Sequence, residues 1–411
     1  MAPKRRLDGD GVAESPGELS KPMDDDTAQS SAKFAKPVYL VAVREDDPAA
    51  YSVLEIDAAA VASGDSDDEP PRVRSVAALP IADEPGMSFV AAHSKHGSWI
   101  VGVGGGQRAR TIIFDPRTLE TFQGPRLAYP KHEPILISHG GEVYALTRRP
   151  RVVPPIDREP WFESITFNKG VPSRECGVWV HWNILPPPPF FPCLLDPYEF
   201  RNPPEISVCS YAVVGSYILV SPQPELAIGT YAFHVVNKTW EKIHGNNLPF
   251  VGQALPLEVG GSLFAACPLS NNSISASASV FHMSIKVPSS TPVAEESTSS
   301  LIIQEFKVAA SDDKIPWPLF CPLGWGSFCF IRLRSSVRRH SHEANCLKRL
   351  RVILSTLWIE NAEAIITHCQ SQGAKANDLL VAVQVKEQIY RSKSKSLRGM
   401  AVVTGPLHIS I

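Results

Sequence analysis

No stretch of this chain stays apolar for the roughly 18 residues that a membrane-crossing helix needs. Its opening, MAPKRRLDGDG, is charged and lacks the apolar segment of a secretory signal. No C-x-x-C pair occurs among the eight cysteines, which scatter from Cys176 to Cys369. Scattered cysteines without a secretory route imply reduced, mostly buried thiols. The expectation is a cytoplasmic protein, with the nucleus left open by the short basic run Lys4-Arg5-Arg6. Charge of one sign is also lacking. A net charge of −2 gives no global field to attract nucleic acid or an acidic membrane.

Recognisable catalytic motifs are absent as well. There is no G-x-S-x-G nucleophile elbow. Gly102-Val103-Gly104-Gly105-Gly106 looks superficially like a phosphate loop, but no Gly-Lys-Ser/Thr follows it. A dinucleotide site would need a helix to begin there, so that backbone N–H groups meet the phosphate. The strand-like Thr111–Asp115 comes next, so this run reads as a turn between strands. His340, His342 and Cys346 offer three metal-ligand types in one basic stretch, Arg332–Arg351, without a fourth partner. That stretch reads as a solvated loop. It lacks the interleaved aromatics that would stack on bases. Asp115, Glu163 and Asp196 are the carboxylates a glycosidase reading would use, but such pairs meet in space and not in spacing. No catalytic, cofactor-binding or metal residue is assigned.

Proline is abundant. The chain has 411 residues and 37 prolines, well above the usual 5% or so, and 44% of its residues are hydrophobic. Prolines inside apolar sequence argue against long helices and for short strands with turns. The stretch Ile135–Phe190 shows the pattern most clearly. ILISH meets Gly140–Gly141 and resumes as EVYAL; FESITFN follows, then Trp179, Trp182 and the exit LPPPPF. Alternation in these strands suits antiparallel sheet with one face buried.

The pattern recurs, and fixed-period recurrence marks repeat architectures. SYAVVGSYILVS spans 210–221, GTYAFHVVNKTW spans 229–240, and VGGSLFAAC spans 259–267. GSWIVG lies upstream and GSFCFIRL downstream. Gly97, Gly141, Gly215, Gly260 and Gly326 are 44, 74, 45 and 66 residues apart. The short spacings fit one propeller blade of roughly 40–50 residues. The long ones carry inserts at Thr147–Pro160, Pro186–Pro204 and Pro288–Ser300. Val38–Val43 with Tyr51–Ile56 supplies a sixth unit.

The series HGGEVYAL, FESITF, LPPPPF, SYAVVGSYILVS and GTYAFHVVNKTWEKI resembles kelch-like repeats. It is most similar to a large plant family of kelch-type proteins described as a domain of unknown function. The resemblance covers about Pro37 to Trp358. It implies a β-propeller and brings no settled catalytic residue.

The expected organisation is all-β. Residues 1–35 are a polar, disordered tail. Residues 36–360 form a kelch-like β-propeller of six blades. Residues 361–411 are left open between a strand of the closing blade and a tail dispensable after Gly373. Tyr144, Phe167, Trp182, Tyr217, Phe233 and Trp240 are expected to pack between blades. The function expected is a non-catalytic scaffold that presents propeller loops to a protein partner, without membrane or nucleic acid. The alternative is an enzyme or small-ligand binder at the channel mouth.

Overall fold

A computed structural model describes residues 38–44, 50–56, 73–79, 85–151, 160–172, 181–192, 201, 204–269, 278–287, 299–308, 319–324, 326–335, 350–370, 380–391 and 397–404. The expected disordered tail, the acidic run 62–71, Asp196, and the ligand candidates His340, His342 and Cys346 lie outside these residues.

Among the described residues, twenty-four strands form six four-stranded antiparallel blades. Blade 1 contains β1 (Val38–Arg44), β2 (Tyr51–Ile56) and β3 (Val73–Leu79). Blade 2 is β4 (Met87–Ser94), β5 (Gly97–Gly104), β6 (Ile112–Asp115) and β7 (Glu120–Gln123). Blade 3 is β8 (Ile135–His139), β9 (Glu142–Leu146), β10 (Phe162–Thr166) and β11 (Asn183–Leu185). Blade 4 is β12 (Val208–Val214), β13 (Tyr217–Pro222), β14 (Thr230–His234) and β15 (Thr239–His244). Blade 5 is β16 (Phe250–Pro256), β17 (Leu263–Pro268), β18 (Ser279–Lys286) and β19 (Ser300–Lys307). Blade 6 is β20 (Leu319–Gly324), β21 (Ser327–Ser335), β22 (Leu350–Ile359) and β23 (Val383–Arg391). A helix, α1 (Ala362–Gln370), sits between β22 and β23.

Blade 1 is completed from the other end of the chain. Its innermost strand is β24 (Leu397–Thr404), antiparallel to β1 with Val38 opposite Thr404 and Val41 opposite Ala401. The protein is therefore a closed six-bladed propeller. The expected dispensability of the chain after Gly373 is corrected: that segment supplies β23 to blade 6 and β24 to blade 1. Pairing first strand to last hides the sheet edge that an open ring would leave.

Six apolar clusters hold the ring, one at each junction of neighbouring blades. Tyr39, Val41, Ile100 and Phe114 join blades 1 and 2. Trp99, Val143, Ile165 and Phe167 join blades 2 and 3. Tyr144, Phe162, Ile218 and Phe233 join blades 3 and 4. Phe250, Phe264 and Phe281 meet Leu219 between blades 4 and 5. Phe306 and Leu263 meet Phe328 and α1 between blades 5 and 6. Val38 and Leu40 meet Cys321, Cys329 and Leu354 where blade 6 returns to blade 1. Neighbouring residues of β1 thus serve opposite junctions.

The expectation that alternation buries one face is corrected by this arrangement. Each blade is packed on both sides, so Phe162, Glu163, Ser164 and Ile165 are all buried. All six aromatics expected between blades lie in these clusters or against them. Fully burying one such ring contributes about 1.5–3 kcal/mol. Blades 4 and 5 are additionally bonded at the channel. Ser210 pairs with Gly252 and Tyr211 with Gln253 in parallel register, and the Ser210 hydroxyl donates to the Phe250 carbonyl.

Strand alternation sorts every connection to one of two ends. At the first, here the hairpin end, the first two strands of blades 2, 3 and 4 are joined by tight turns. Lys95–His96, Gly140–Gly141 and Gly215–Ser216 are such turns. Gly140 (φ 58°) and Gly141 (φ 75°) take the left-handed conformation that a two-residue hairpin of this hand demands. At the second, the link end, the chain crosses from one blade to the next, as 124–134 does between blades 2 and 3 and 245–249 between blades 4 and 5.

Candidate binding surface at the link end

The link 124–134, between blades 2 and 3, is fixed along its length. Thr111 precedes β6 and holds the start of the link. Its N–H and its hydroxyl both donate to the Pro125 carbonyl, at 3.2 and 2.6 Å, and its own carbonyl accepts from the Gly124 N–H at 2.8 Å. The Trp182 indole N–H donates to the Thr111 hydroxyl at 3.1 Å, tying blade 3 to blade 2.

Further along, Lys131 turns inward. Its ammonium pairs with the Glu163 carboxylate on β10 and donates to the Pro160 carbonyl at 2.6 Å. The other Glu163 oxygen accepts from the Ala128 N–H at 2.8 Å. The two side chains are 1% and 0% exposed. A buried pair of this kind adds little net stability, but removing one partner strands the other charge. The link then returns to blade 2, where the Glu133 N–H donates to the Gly86 carbonyl at 2.7 Å.

The glycine run beside the link has a packing reason. A Cβ at Gly104 would stand 2.7 Å from the Gly86 carbonyl and 2.9 Å from that of Lys131. Gly104, Gly105 and Gly106 all have positive φ, at 104°, 83° and 101°. The run is a close-approach turn leading into β6, as expected from sequence. The cavity it borders, with Arg110, Leu127 and Pro130, has a volume of about 10 Å³. That is room for about one water molecule.

Blade 4 repeats the device. Thr230 precedes the rest of β14 and donates to the Asn246 carbonyl at 2.8 Å. Asn247 accepts from the Gly229 N–H at 2.9 Å and donates to the Leu226 carbonyl at 2.9 Å. The proline exit is likewise a packed connection. Phe191 is 4% exposed, Phe190 packs on Tyr231 at 5.3 Å, and the Pro186 carbonyl accepts from the Trp240 indole at 2.7 Å.

The surface this frame presents is cationic. Arg108 and Arg110 stand on the loop before β6, and Arg126 on the link itself. Arg148, Arg149 and Arg151 follow β9. Arg108, Arg126, Arg149 and Arg151 are exposed; Arg110 and Arg148 are half-buried. Arg148 bridges the two parts, donating from Nε to the Glu133 carbonyl at 3.3 Å while its own carbonyl accepts from the Val208 N–H at 2.9 Å. Burial pushes the Cys209 thiol and Tyr211 phenol up; at Cys209 the Ser210 hydrogen bond opposes the rise and the Glu225 charge adds to it, and the Arg148 guanidinium acts against the rise at both groups.

Charges at the hairpin end are instead paired across the sign. Arg117 meets Asp115 at 3.2 Å, which holds the Asp115 carboxyl below its ordinary range against the opposing effect of burial. Lys238 meets Glu142 at 3.4 Å and lies 5.4 Å over the Tyr144 ring. Burial, with Glu142 adding to it, raises the Tyr144 phenol.

Asp115 and Glu163, two of the carboxylates a glycosidase reading would use, are therefore not brought together. Asp115 closes a turn at the hairpin end, and Glu163 is buried near the link end. Among the described residues, no group of three or more His, Cys, Asp or Glu could hold a metal ion, and no helix is long and apolar enough to cross a membrane.

Residues 35–377 match the profile of a family described as "Protein of unknown function (DUF1668)". The chain belongs to the DUF1668 family. The DUF1668 match ends before β23 begins, so the last two strands of the ring lie beyond it. No curated protein matches the sequence. Among solved structures, the chain is similar to TolB from Acinetobacter baumannii at 11% identity and a TM-score of 0.41, over 90% of this chain and 67% of that one.

Proposed function

We propose that this DUF1668 protein is a non-catalytic interaction scaffold that presents the link end of its propeller to a protein partner. The observation that carries this reading is the contrast between the two rims of the channel. At the hairpin end the inner strands turn within two residues at 95–96, 140–141 and 215–216. At the link end the eleven-residue connection 124–134 is fastened to the neighbouring blades, and the Pro186 carbonyl accepts from Trp240 of blade 4. Variable loops on a rigid frame are where binding residues concentrate. Fold by itself assigns no partner, so the reading rests on this surface.

The glycine turns at the start of blades 3 to 6, and the Trp182 and Trp240 staples, support the kelch-like description of the repeats. An intracellular setting fits thiols such as Cys321 and Cys329, which sit opposite one another in the blade 6–blade 1 core and are free.

The test is capture of partners by the whole chain, repeated with 147–160 shortened. Loss of a captured protein with an unchanged melting curve is the expected result. Turnover of a small substrate, or a metal near one per chain in the purified protein, would overturn the scaffold reading in favour of chemistry at the channel mouth.

A further inference from the structure

Among the described residues of blades 2 and 3, the link end carries more arginines than carboxylates, whereas the hairpin end carries both signs. Among the described residues from 97 to 172, the carboxylates are Asp115, Glu120, Glu133, Glu142 and Glu163. Asp115, Glu120 and Glu142 are at the hairpin end, and Glu163 is buried with Lys131. Of these, Glu133 is exposed at the link end, where six arginines stand; on the blade 4 side of that end Glu205 and Glu225 are exposed as well, so the described arginines outnumber the described exposed carboxylates. The buried pair sharpens this imbalance, because Lys131 consumes the carboxylate that would otherwise offset one guanidinium. Since the whole chain carries −2, the excess is a local property.

The side chains are also all of one kind. The exposed and half-buried cations there are arginines, and the one lysine is internal. A guanidinium presents a planar fork that fits a carboxylate or phosphate in two parallel hydrogen bonds, which an ammonium cannot do. Fastening of the link at Pro125, Ala128, Lys131 and Glu133 holds the backbone under these arginines before any partner arrives. Such pre-organisation lowers the cost of binding. Aromatic platforms do not accompany the charges: Phe114 is buried, and Phe122 and Tyr129 are half-buried. Sequence-tolerant binding of single-stranded nucleic acid combines basic grooves with bases stacked on aromatic rings.

We propose that the arginine arc formed by Arg108, Arg126, Arg148, Arg149 and Arg151 is the docking site for an extended acidic segment of a partner protein. This rests on the scaffold reading and names its partner class. The segment lies across blades 2 and 3 beside the channel mouth, its carboxylates paired with guanidinium groups in the manner of acidic-motif recognition by arginine clusters.

Fluorescence anisotropy with a labelled poly-glutamate peptide and the full chain, at about 0.15 M salt, tests it. The expected result is saturable binding that weakens as salt rises. Combining Arg108→Gln, Arg126→Gln and Arg149→Gln is expected to weaken binding about tenfold or more, equivalent to about 1.4 kcal/mol. Lys169→Gln, at the hairpin end, is expected to leave it unchanged. The substituted arginines are exposed, so all variants should melt with the parent. Absence of peptide binding, or an undiminished affinity in the triple variant, would overturn the proposal. Tighter binding of a DNA strand of matched charge would overturn it in favour of a nucleic-acid surface. Failure of the scaffold reading is separable. A captured partner that cross-links to the hairpin end sinks the arginine assignment alone, whereas substrate turnover sinks the scaffold reading.

Discussion

The two ends of this ring are made from the same strands and treat their connections in opposite ways. At the hairpin end, the inner strands of blades 2 to 4 turn within two residues, and opposite charges pair within blade 2 at Arg117–Asp115 and across blades at Lys238–Glu142. At the link end, the crossings 124–134 and 245–249 are fastened by buried threonine and lysine side chains and a half-buried asparagine, and four arginines are exposed. The difference teaches that rigidity in this fold has two sources. One is geometric and visible as glycine; the other is a set of hydrogen bonds between residues distant in sequence.

The largest effect expected concerns the seam on which both ends depend. Truncation after Gly373 removes β23 and β24, and with them Tyr390, which is fully buried at the blade 6–blade 1 junction. Cooperative thermal unfolding should disappear, because the lost contacts are comparable with the roughly 5–15 kcal/mol that holds a domain together. A truncated chain that melts like the parent would restore the tail as dispensable.

Next comes the fastening of the link. Glu163→Gln leaves the Lys131 ammonium buried without its counter-ion, and should cost about 3–5 kcal/mol in chemical denaturation. Combining Lys131→Met with Glu163→Leu should recover most of that loss. A single variant as stable as the parent would mean that the pair does not organise the link.

The hairpin end should show smaller and more graded costs. Gly140→Ala places a Cβ in open space and meets only the left-handed strain of roughly 1–2 kcal/mol. Gly141→Ala adds a collision with the Asn168 side chain, so it should melt lower than its neighbour. Equal melting temperatures would show that Asn168 yields freely.

These three effects differ in how far they could be read in the sequence. The glycine turns were legible because the tight turn needs positive φ and its flanking runs are apolar. Gly140–Gly141, Gly215 and Gly260–Gly261 marked blades directly, and the inter-blade aromatics followed. The closing strands were legible only as one of two open alternatives for 361–411. Val383–Arg391 and Leu397–Thr404 carry no glycine pair before them, and β24 finds its partner at the opposite end of the chain. The Lys131–Glu163 pair was not legible: its members are 32 residues apart and meet only because a link folds over the next blade. The arginines were present as RAR, PR and RRPR, but only the up-and-down order of the strands puts them at one end while sending Arg117 to the other.

The smallest effect is a pH dependence on blade 1. Tyr39 is buried beside Glu55, to which its hydroxyl donates at 3.4 Å. Burial, then the Glu55 charge, pushes its phenol up to about 12. Because the folded value lies above the unfolded one near 10, the contribution is complete below about pH 10. It is lost as pH rises from there through about 12. Melting temperature should therefore fall across that window, and Tyr39→Phe should flatten the fall. An identical slope in the variant would place the titration elsewhere.

Inserting a short Gly/Ser segment at either end compares the two ends directly. Placed between Gly140 and Gly141, it should lower the melting temperature while capture of the partner persists at temperatures where the ring is folded. Placed after Arg149, it should leave melting unchanged and abolish capture. Measuring both properties on both insertions tests whether the hairpin end serves structure and the link end serves recognition. Loss of capture from the insertion at Gly140, with capture intact after the insertion at Arg149, would contradict that division.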